Sequence, residues 1–216
     1  MSKNIKKRIY TSIILIFLLF LMFLNIYVMG FLLMLVGIFS LIEFSRIISI
    51  IFKKNKITQL FLNIIFTCYI FSFCTYFLTL SSFLHLKILI FLILLTCVAS
   101  DIGGLVFGKV FKGAKLTKIS PNKTISGALG SLIFSSLSIV LLIYFLTNNV
   151  DLNFIIIGCI ISISCQIGDL FFSFLKRKSF LKDSGNFLPG HGGILDRIDG
   201  MLVGIPIGFL TCLIFY

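Results

Sequence analysis

Charged residues are scarce in this sequence. Only 12% of its 216 residues are Asp, Glu, Lys or Arg, whereas 59% are hydrophobic, and the mean hydropathy is +1.16. So few charges exclude a water-soluble globular domain, and so many apolar residues exclude intrinsic disorder. The six cysteines lie in apolar stretches without a C-x-x-C pair or a nearby His, which argues against a disulfide scaffold, redox chemistry and zinc binding. The composition therefore predicts an integral membrane protein.

Seven apolar runs approach the length of about 20 residues that a transmembrane helix needs. They lie at 9–24, 28–45, 57–80, 87–107, 126–146, 153–175 and 200–216. No charge separates the first two, and only Asn25 and Gly30 indicate a turn, so a short, tilted or partly re-entrant pair is the alternative there. The predicted fold class is all-α, a polytopic membrane protein with about seven transmembrane helices. Because no repeat or flexible linker interrupts the chain, we expect a single membrane-embedded domain over residues 1–216.

The distribution of basic residues predicts the orientation, because cytoplasmic loops are rich in Lys and Arg. A cytoplasmic N-terminus places 18 of the 19 bases on the cytoplasmic side and leaves Lys87 outside. The basic start is similar to a signal peptide, but no small-residue cleavage site follows, so we expect an uncleaved first helix. The net charge of +12 fits anionic lipid or an anionic substrate better than nucleic acid, since the bases lie in short runs between apolar stretches.

The sequence contains seven carboxylates, and some lie within apolar runs. Asp101 and Asp169 precede the next basic residue by eight and seven positions, which places them about 10–12 Å inside a helix from its cytoplasmic end. A mid-membrane Asp costs roughly 2.5–3.5 kcal/mol, so these two residues are candidates for function, with helix capping or a Lys pair as the alternative. Glu43 lies three residues before Arg46, which predicts a local ion pair.

Asp196 and Asp199 are three residues apart, a spacing that places both carboxylates on one face of a helix, about 5–6 Å apart. The repulsion between them is relieved when a cation lies between them. Hard oxygen ligands in small number suit Mg²⁺ that also holds substrate phosphates. The alternative is a pair of acids favoured by the dipole at the start of the last helix.

The segment 173–199 concentrates cations and glycines. Glycine lets backbone N–H groups approach phosphate closely, and fixed cations neutralise it. The candidate phosphate-binding residues there are Lys176, Arg177, Lys182, His191, Gly192, Gly193 and Arg197. A second basic loop at 108–127 adds Ser120 and Lys123, although its lysines could equally rest on anionic headgroups. Together with the buried acids, the two loops predict a cytoplasmic site for a highly phosphorylated substrate and a metal.

These residues also carry a resemblance to a known family. The positions concerned are Ser173, Lys176, Arg177, Lys182, Asp183, Gly185, Pro189, Gly190, His191, Gly192, Gly193, Asp196, Arg197 and Asp199. The segment resembles the C-terminal signature of the phosphatidate cytidylyltransferase (CDP-diacylglycerol synthase) family, and the resemblance extends to Gly168, Asp169, Asp101 and the S-P-x-K-T turn at 120–124. It covers the catalytic half, residues 86–216, whereas residues 1–85 match only weakly. Ser126 replaces the Glu of the family's K-T-x-E-G turn, and the chain is short for the family.

The resemblance implies transfer of a cytidylyl group from CTP to phosphatidic acid, giving CDP-diacylglycerol and pyrophosphate in phospholipid biosynthesis. It implies Mg²⁺, with a second cation as a further candidate, held by Asp169, Asp196 and Asp199, and Lys176 completes the predicted catalytic set. Substrate would be bound by Ser120, Lys123, Arg177, Lys182, His191, Gly192, Gly193 and Arg197. The expected location is the bacterial inner membrane with the site facing the cytoplasm. Membrane lipid and a second copy of the chain are the candidate partners, and nucleic acid is not.

Three alternatives stay open at this point. A CTP-dependent polyprenol or lipid kinase would need similar loops and acids, but its product would be CDP rather than pyrophosphate. A cation transporter could use Asp101 and Asp169 along its path, although a basic glycine-rich loop would repel cations. An inactive relative is the third alternative, because Ser126 departs from the family's pattern.

Overall fold

The chain is helical throughout the part that the structure describes. The computed structural model describes residues 3–117, 120, 123–188 and 192–215, with side chains from residue 10 onward. Over these residues the elements are α1 (Lys3–Leu24), α2 (Ile26–Ile51), α3 (Lys56–Ser81), α4 (Leu84–Phe111), α5 (Ile125–Thr147), α6 (Leu152–Lys178) and α7 (Leu195–Phe215). The six helices α2 to α7 are long and apolar enough to cross a membrane, and α1 has a shorter apolar segment, Tyr10–Leu24. The prediction of an all-α polytopic fold is confirmed.

Short polar residues set the ends of several helices. Asn25 alone separates α1 from α2, and its side chain accepts the N–H of Tyr27 at 2.8 Å as the N-cap of α2. Asn55 and Thr124 cap α3 and α5 in the same way. Such caps satisfy backbone N–H groups that have no partner within the helix. Asn25 is therefore the turn, and α2 is a full-length helix of 26 residues rather than a short or re-entrant segment.

The contacts of the chain group into two compact units. Unit 1 contains Met1–Lys87 and Leu175–Ile198, and unit 2 contains Ile88–Phe174 and Asp199–Tyr216. This grouping does not follow the predicted boundary between residues 85 and 86, because a segment of the predicted catalytic half groups with the N-terminal helices. The single domain over residues 1–216 stays a prediction.

In unit 1, α2 packs against both α1 and α3. Gly37 of α2 faces Ile70 and Cys74 of α3, where a Cβ would lie 3.3 Å from the Ile70 side chain. The rings of Phe44 and Phe66 stack with centroids 3.9 Å apart. Small residues and aromatic rings thus hold α2 against α3.

In unit 2, glycines bring α4 and α5 into backbone contact. A Cβ on Gly103 would lie 2.5 Å from the carbonyl oxygen of Gly130, and one on Gly104 would lie 2.6 Å from Ser131 Oγ. In α7, a Cβ on Gly208 would lie 2.8 Å from the side chain of Ile161 in α6. Small residues at helical spacing permit such close approach in membranes. These glycines are therefore packing positions between helices.

Candidate active site

Two predicted site residues from distant parts of the sequence meet in unit 2. Lys123 Nζ donates to Asp169 Oδ2 at 2.9 Å, and the two side chains are 29% and 21% exposed. The lysine precedes α5 directly and the aspartate lies in α6, 46 residues later. The ion pair therefore links the basic loop to a half-buried acid in α6.

Backbone hydrogen bonds fix the position of Lys123. Its carbonyl accepts the N–H of Leu116 at 2.8 Å, and its own N–H donates to the carbonyl of Ser120 at 3.0 Å. Ser120 is half-buried, and its backbone holds the turn. Ser126, which stands where the family pattern has Glu, lies with its hydroxyl 3.0 Å from that of Thr124, the N-cap residue of α5. Ser126 thus belongs to the cap of α5.

Helices α6 and α7 cross within unit 2 at two glycines. A Cβ on Gly168 would lie 2.6 Å from the backbone carbonyl oxygen of Asp199, and one on Gly200 would lie 2.9 Å from Asp169 Oδ1. Asp199 is buried, and its Oδ1 accepts the N–H of Gly200 at 3.0 Å. Each of these two aspartates therefore places a carboxylate oxygen beside Gly200.

The crossing predicts a large effect of Gly168→Ala. The added methyl would meet backbone rather than a movable side chain, so α6 and α7 must separate, and overpacking of this kind costs about 3 kcal/mol. We expect a matching fall in the free energy of unfolding, measured by denaturant titration in detergent micelles. The control is Gly30→Ala in α2, where a Cβ would lie 3.7 Å from Leu78 in ordinary contact and should leave stability unchanged. A Gly168→Ala protein as stable as wild type would contradict the crossing.

In unit 1, a second ion pair joins the end of α6 to the start of α7. Lys176 Nζ donates to Asp196 Oδ1 at 2.7 Å, and the side chains are only 10% and 9% exposed. Asp196 Oδ2 accepts the N–H groups of Ser184 at 2.9 Å and Gly193 at 3.0 Å. One carboxylate thus gathers three donors, one from the end of α6 and two from separate parts of the loop. Asp196 as a metal ligand stays a prediction.

Glu43 is the second carboxylate, after Asp196, that holds the loop between α6 and α7. The sequence analysis did not predict this role. Glu43 belongs to α2, and its side chain is buried. Its Oε2 accepts the hydroxyl of Ser184 at 2.6 Å and the N–H of Leu195 at 2.9 Å. Its Oε1 accepts the N–H of Ile194 at 3.0 Å. The predicted ion pair with Arg46 is wrong, because the carboxylate points to the loop whereas Arg46 is exposed. One feature of the sequence could have indicated this role, because Glu43 is a single acid within a long apolar run.

The loop glycines lie against these two carboxylates. A Cβ on Gly185 or Gly193 would collide with the carboxylate of Glu43. Gly192 has φ +82°, which favours glycine, and a Cβ there would lie 2.9 Å from Asp196 Oδ2. Close packing on Glu43 and Asp196 is therefore one physical reason for glycine at these positions. Phosphate binding by Gly192 and Gly193 stays a prediction.

The remaining predicted cations lie on the surface of unit 1. Arg177, Lys182 and Arg197 are exposed, and the guanidinium of Arg177 donates to the carbonyl of Leu181 at 3.3 Å. Phosphate binding by these three residues stays a prediction. His191, the other predicted substrate-binding residue of this loop, lies outside the described residues.

The donors in unit 2 fit a magnesium ion in its usual mode. Among the described residues of either unit, no group of three or more His, Cys, Asp or Glu side chains is arranged to hold a metal. Mg²⁺ is nevertheless commonly bound by one or two carboxylates together with substrate phosphates. Asp169 and Asp199 supply two carboxylates beside Gly200, and these are the residues that would hold the ion.

Comparisons with known proteins agree with the resemblance to the cytidylyltransferase family. A phosphatidate cytidylyltransferase of Rickettsia felis is 41% identical over 124 residues, which are 53% of this chain and 54% of that protein. The proteins of the same name from Staphylococcus haemolyticus and Helicobacter pylori are 42% and 40% identical over 110 and 112 residues, in each case 42% of the relative. The matched segments thus span about half the length of these relatives. The sequence pattern of the cytidylyltransferase family, by contrast, matches residues 3–215, nearly the whole chain, and the protein therefore belongs to that family.

Proposed function

We propose that this protein transfers the cytidylyl group of CTP to phosphatidic acid and thereby makes CDP-diacylglycerol for phospholipid biosynthesis. The observation that carries the proposal is the group in unit 2 formed by Lys123, Asp169 and Asp199, which places one cation and two carboxylates around a bare glycine. Membership of the cytidylyltransferase family and the names of the relatives support the choice of substrates.

The reaction is an in-line displacement at phosphorus. An oxygen of the lipid phosphate attacks the α-phosphorus of CTP, a new P–O bond forms, and the bond to the β-phosphate breaks, releasing pyrophosphate. Because the lipid phosphate is already ionised near neutral pH, no strong general base is needed. Both reactants are anions, so catalysis depends mainly on alignment and charge neutralisation.

The residues of the chain divide these tasks. In this proposal, Asp169 and Asp199 hold Mg²⁺ and Lys123 orients Asp169 while offsetting its charge. Mg²⁺, when bound, would neutralise and align the phosphates of CTP. Arg177, Lys182 and Arg197 are the further candidates for phosphate binding, and planar guanidinium groups suit bidentate recognition of phosphate.

The distribution of bases supports a cytoplasmic location for this chemistry. CTP is found in the cytoplasm, and the loops that carry the proposed phosphate-binding cations are those that the positive-inside rule assigns to that side. In this proposal the protein lies in the inner membrane of a bacterium, consistent with its relatives and its six apolar helices.

The test is an assay of the purified full-length protein with phosphatidic acid and Mg²⁺ and with CTP labelled at one phosphorus. We expect label at the α-phosphorus to enter the lipid fraction and label at the γ-phosphorus to leave as pyrophosphate. A lipid kinase would give the opposite result, with γ-label in the lipid and CDP released. Diacylglycerol in place of phosphatidic acid is the control for the acceptor. No incorporation from either label would contradict the proposal.

A further inference from the structure

We propose that Glu43 is a positioning residue that fixes the described parts of the loop between α6 and α7, residues 179–188 and 192–194, in the geometry that catalysis requires. This inference rests on the proposed function, and it assigns a specific task to α2, outside the half of the chain that carries the sequence signature. Glu43 touches no predicted substrate-binding side chain. It acts through the backbone of the loop and the first residues of α7.

The hydrogen bonds of Glu43 join two separate segments of this loop. Its carboxylate accepts the hydroxyl of Ser184 in the middle of the loop and the N–H groups of Ile194 and Leu195 at the start of α7. The first N–H groups of a helix have no partner within it, and a carboxylate is favoured at this positive end of the helix dipole. Glu43 thus supplies from α2 the cap that α7 needs.

Glu43 and Asp196 hold the loop together. Asp196 accepts the backbone N–H of Ser184 while Glu43 accepts its hydroxyl, and the consecutive N–H groups of Gly193, Ile194 and Leu195 all donate to one or other of the two carboxylates. A shift of the Glu43 side chain therefore displaces donors adjacent to those of Asp196. Through Asp196 it also affects the position of Lys176, the predicted catalytic lysine.

An apolar contact attaches the same loop to α2 independently. The rings of Phe39 and Phe187 lie with centroids 4.5 Å apart. Phe187 is a loop residue, and Phe39 lies one turn before Glu43. Because this contact does not involve the carboxylate, we expect a change at Glu43 to loosen the loop locally while leaving it associated with α2.

The experiment compares Glu43→Gln with Ser40→Ala in the full-length protein. Glutamine keeps the volume of the side chain, but its amide group presents donors to backbone N–H groups that need an acceptor. Ser40 lies in the same helix, is equally buried, and bonds only to the carbonyl of Val36, so Ser40→Ala is the matched control. Two quantities are measured: hydrogen exchange of backbone amides by mass spectrometry, and kcat/KM for CTP.

For Glu43→Gln we expect faster exchange confined to the amides of Ile194 and Leu195, which donate to this carboxylate, with α3 unchanged. We expect kcat/KM to fall about 100-fold, the size of effect that a misplacement of about 1 Å can have. Ser40→Ala should match wild type in both measurements. Should Glu43→Gln fail to fold, Ser184→Ala removes one donor only, and a fall of about fivefold is expected from the loss of one hydrogen bond.

The two measurements distinguish the possible failures. The positioning role would be overturned if Glu43→Gln showed both wild-type exchange and wild-type kcat/KM. If Glu43→Gln does not fold, the same result in Ser184→Ala would overturn it. Exchange that rises equally in α3 would also overturn it, because that result indicates general destabilisation. If the wild-type protein makes no CDP-diacylglycerol, the proposed function fails, and the exchange data alone then decide whether Glu43 holds the loop.

Discussion

Asp199→Asn is expected to reduce cytidylyl transfer at least about 100-fold with little loss of folded protein. Asparagine retains the Oδ1 that accepts the N–H of Gly200, so the helix start should survive. It removes the negative charge, however, and the interactions of a bound metal are worth several kcal/mol, each 1.36 kcal/mol being tenfold in rate. The measurement is kcat/KM as a function of Mg²⁺ concentration, and the Mg²⁺ requirement of any residual activity should rise.

Asp151→Asn is the matched control for this substitution. Asp151 precedes α6, where its carboxylate accepts the N–H of Asn153 at 3.1 Å, and asparagine can accept the same bond. The same change of charge at this position should leave both activity and Mg²⁺ dependence as in wild type. An Asp199→Asn enzyme with the Mg²⁺ titration curve of wild type would remove Asp199 from the proposed metal site.

Lys176→Met is expected to lower the free energy of unfolding by about 3 kcal/mol and to abolish most activity. Methionine has a similar length but no charge, so Asp196 would keep its two backbone donors and lose its ammonium partner in surroundings where both side chains are about nine-tenths buried. Removing one member of a buried ion pair typically costs 3–5 kcal/mol. We expect the lower end of this range because two backbone N–H groups still donate to Asp196. Denaturant titration and the CTP assay measure the two effects.

Two further variants make this prediction specific. Lys178→Met removes an exposed lysine two positions away, and the change in stability should be under about 1 kcal/mol. The double variant Lys176→Met, Asp196→Asn removes both charges and should recover part of the lost stability, because no unpaired carboxylate is left. A Lys176→Met protein that unfolds like Lys178→Met would show that the ion pair contributes little.

The helices could be predicted from the sequence because their signals are local. Apolar runs bounded by charges or turn residues predicted seven helices near their observed positions. No charge separates the first two runs, and Asn25 was one of the two residues that indicated a turn there. The exact ends were less certain, since α4 extends beyond its apolar run to Phe111.

The partners of the acids could not be predicted in the same way. Lys123 and Asp169 were both candidates, but nothing in a separation of 46 residues says that they touch. Glu43 was assigned the wrong partner because Arg46 lies at the spacing of a helical ion pair, whereas the true donors follow 141 to 152 residues later. Local spacing identifies which side chains could interact, and only the tertiary packing selects among them.

The cap that α2 gives to α7 also constrains the order in which the protein can mature. The ribosome makes Glu43 before Ser184, Ile194 and Leu195, so the carboxylate exists before the donors that it has in the folded protein. An acid within an apolar helix raises the cost of placing that helix in a membrane. A nascent chain that ends before residue 184 therefore carries Glu43 without these three donors, and the position of its side chain is set only after residue 195 is made.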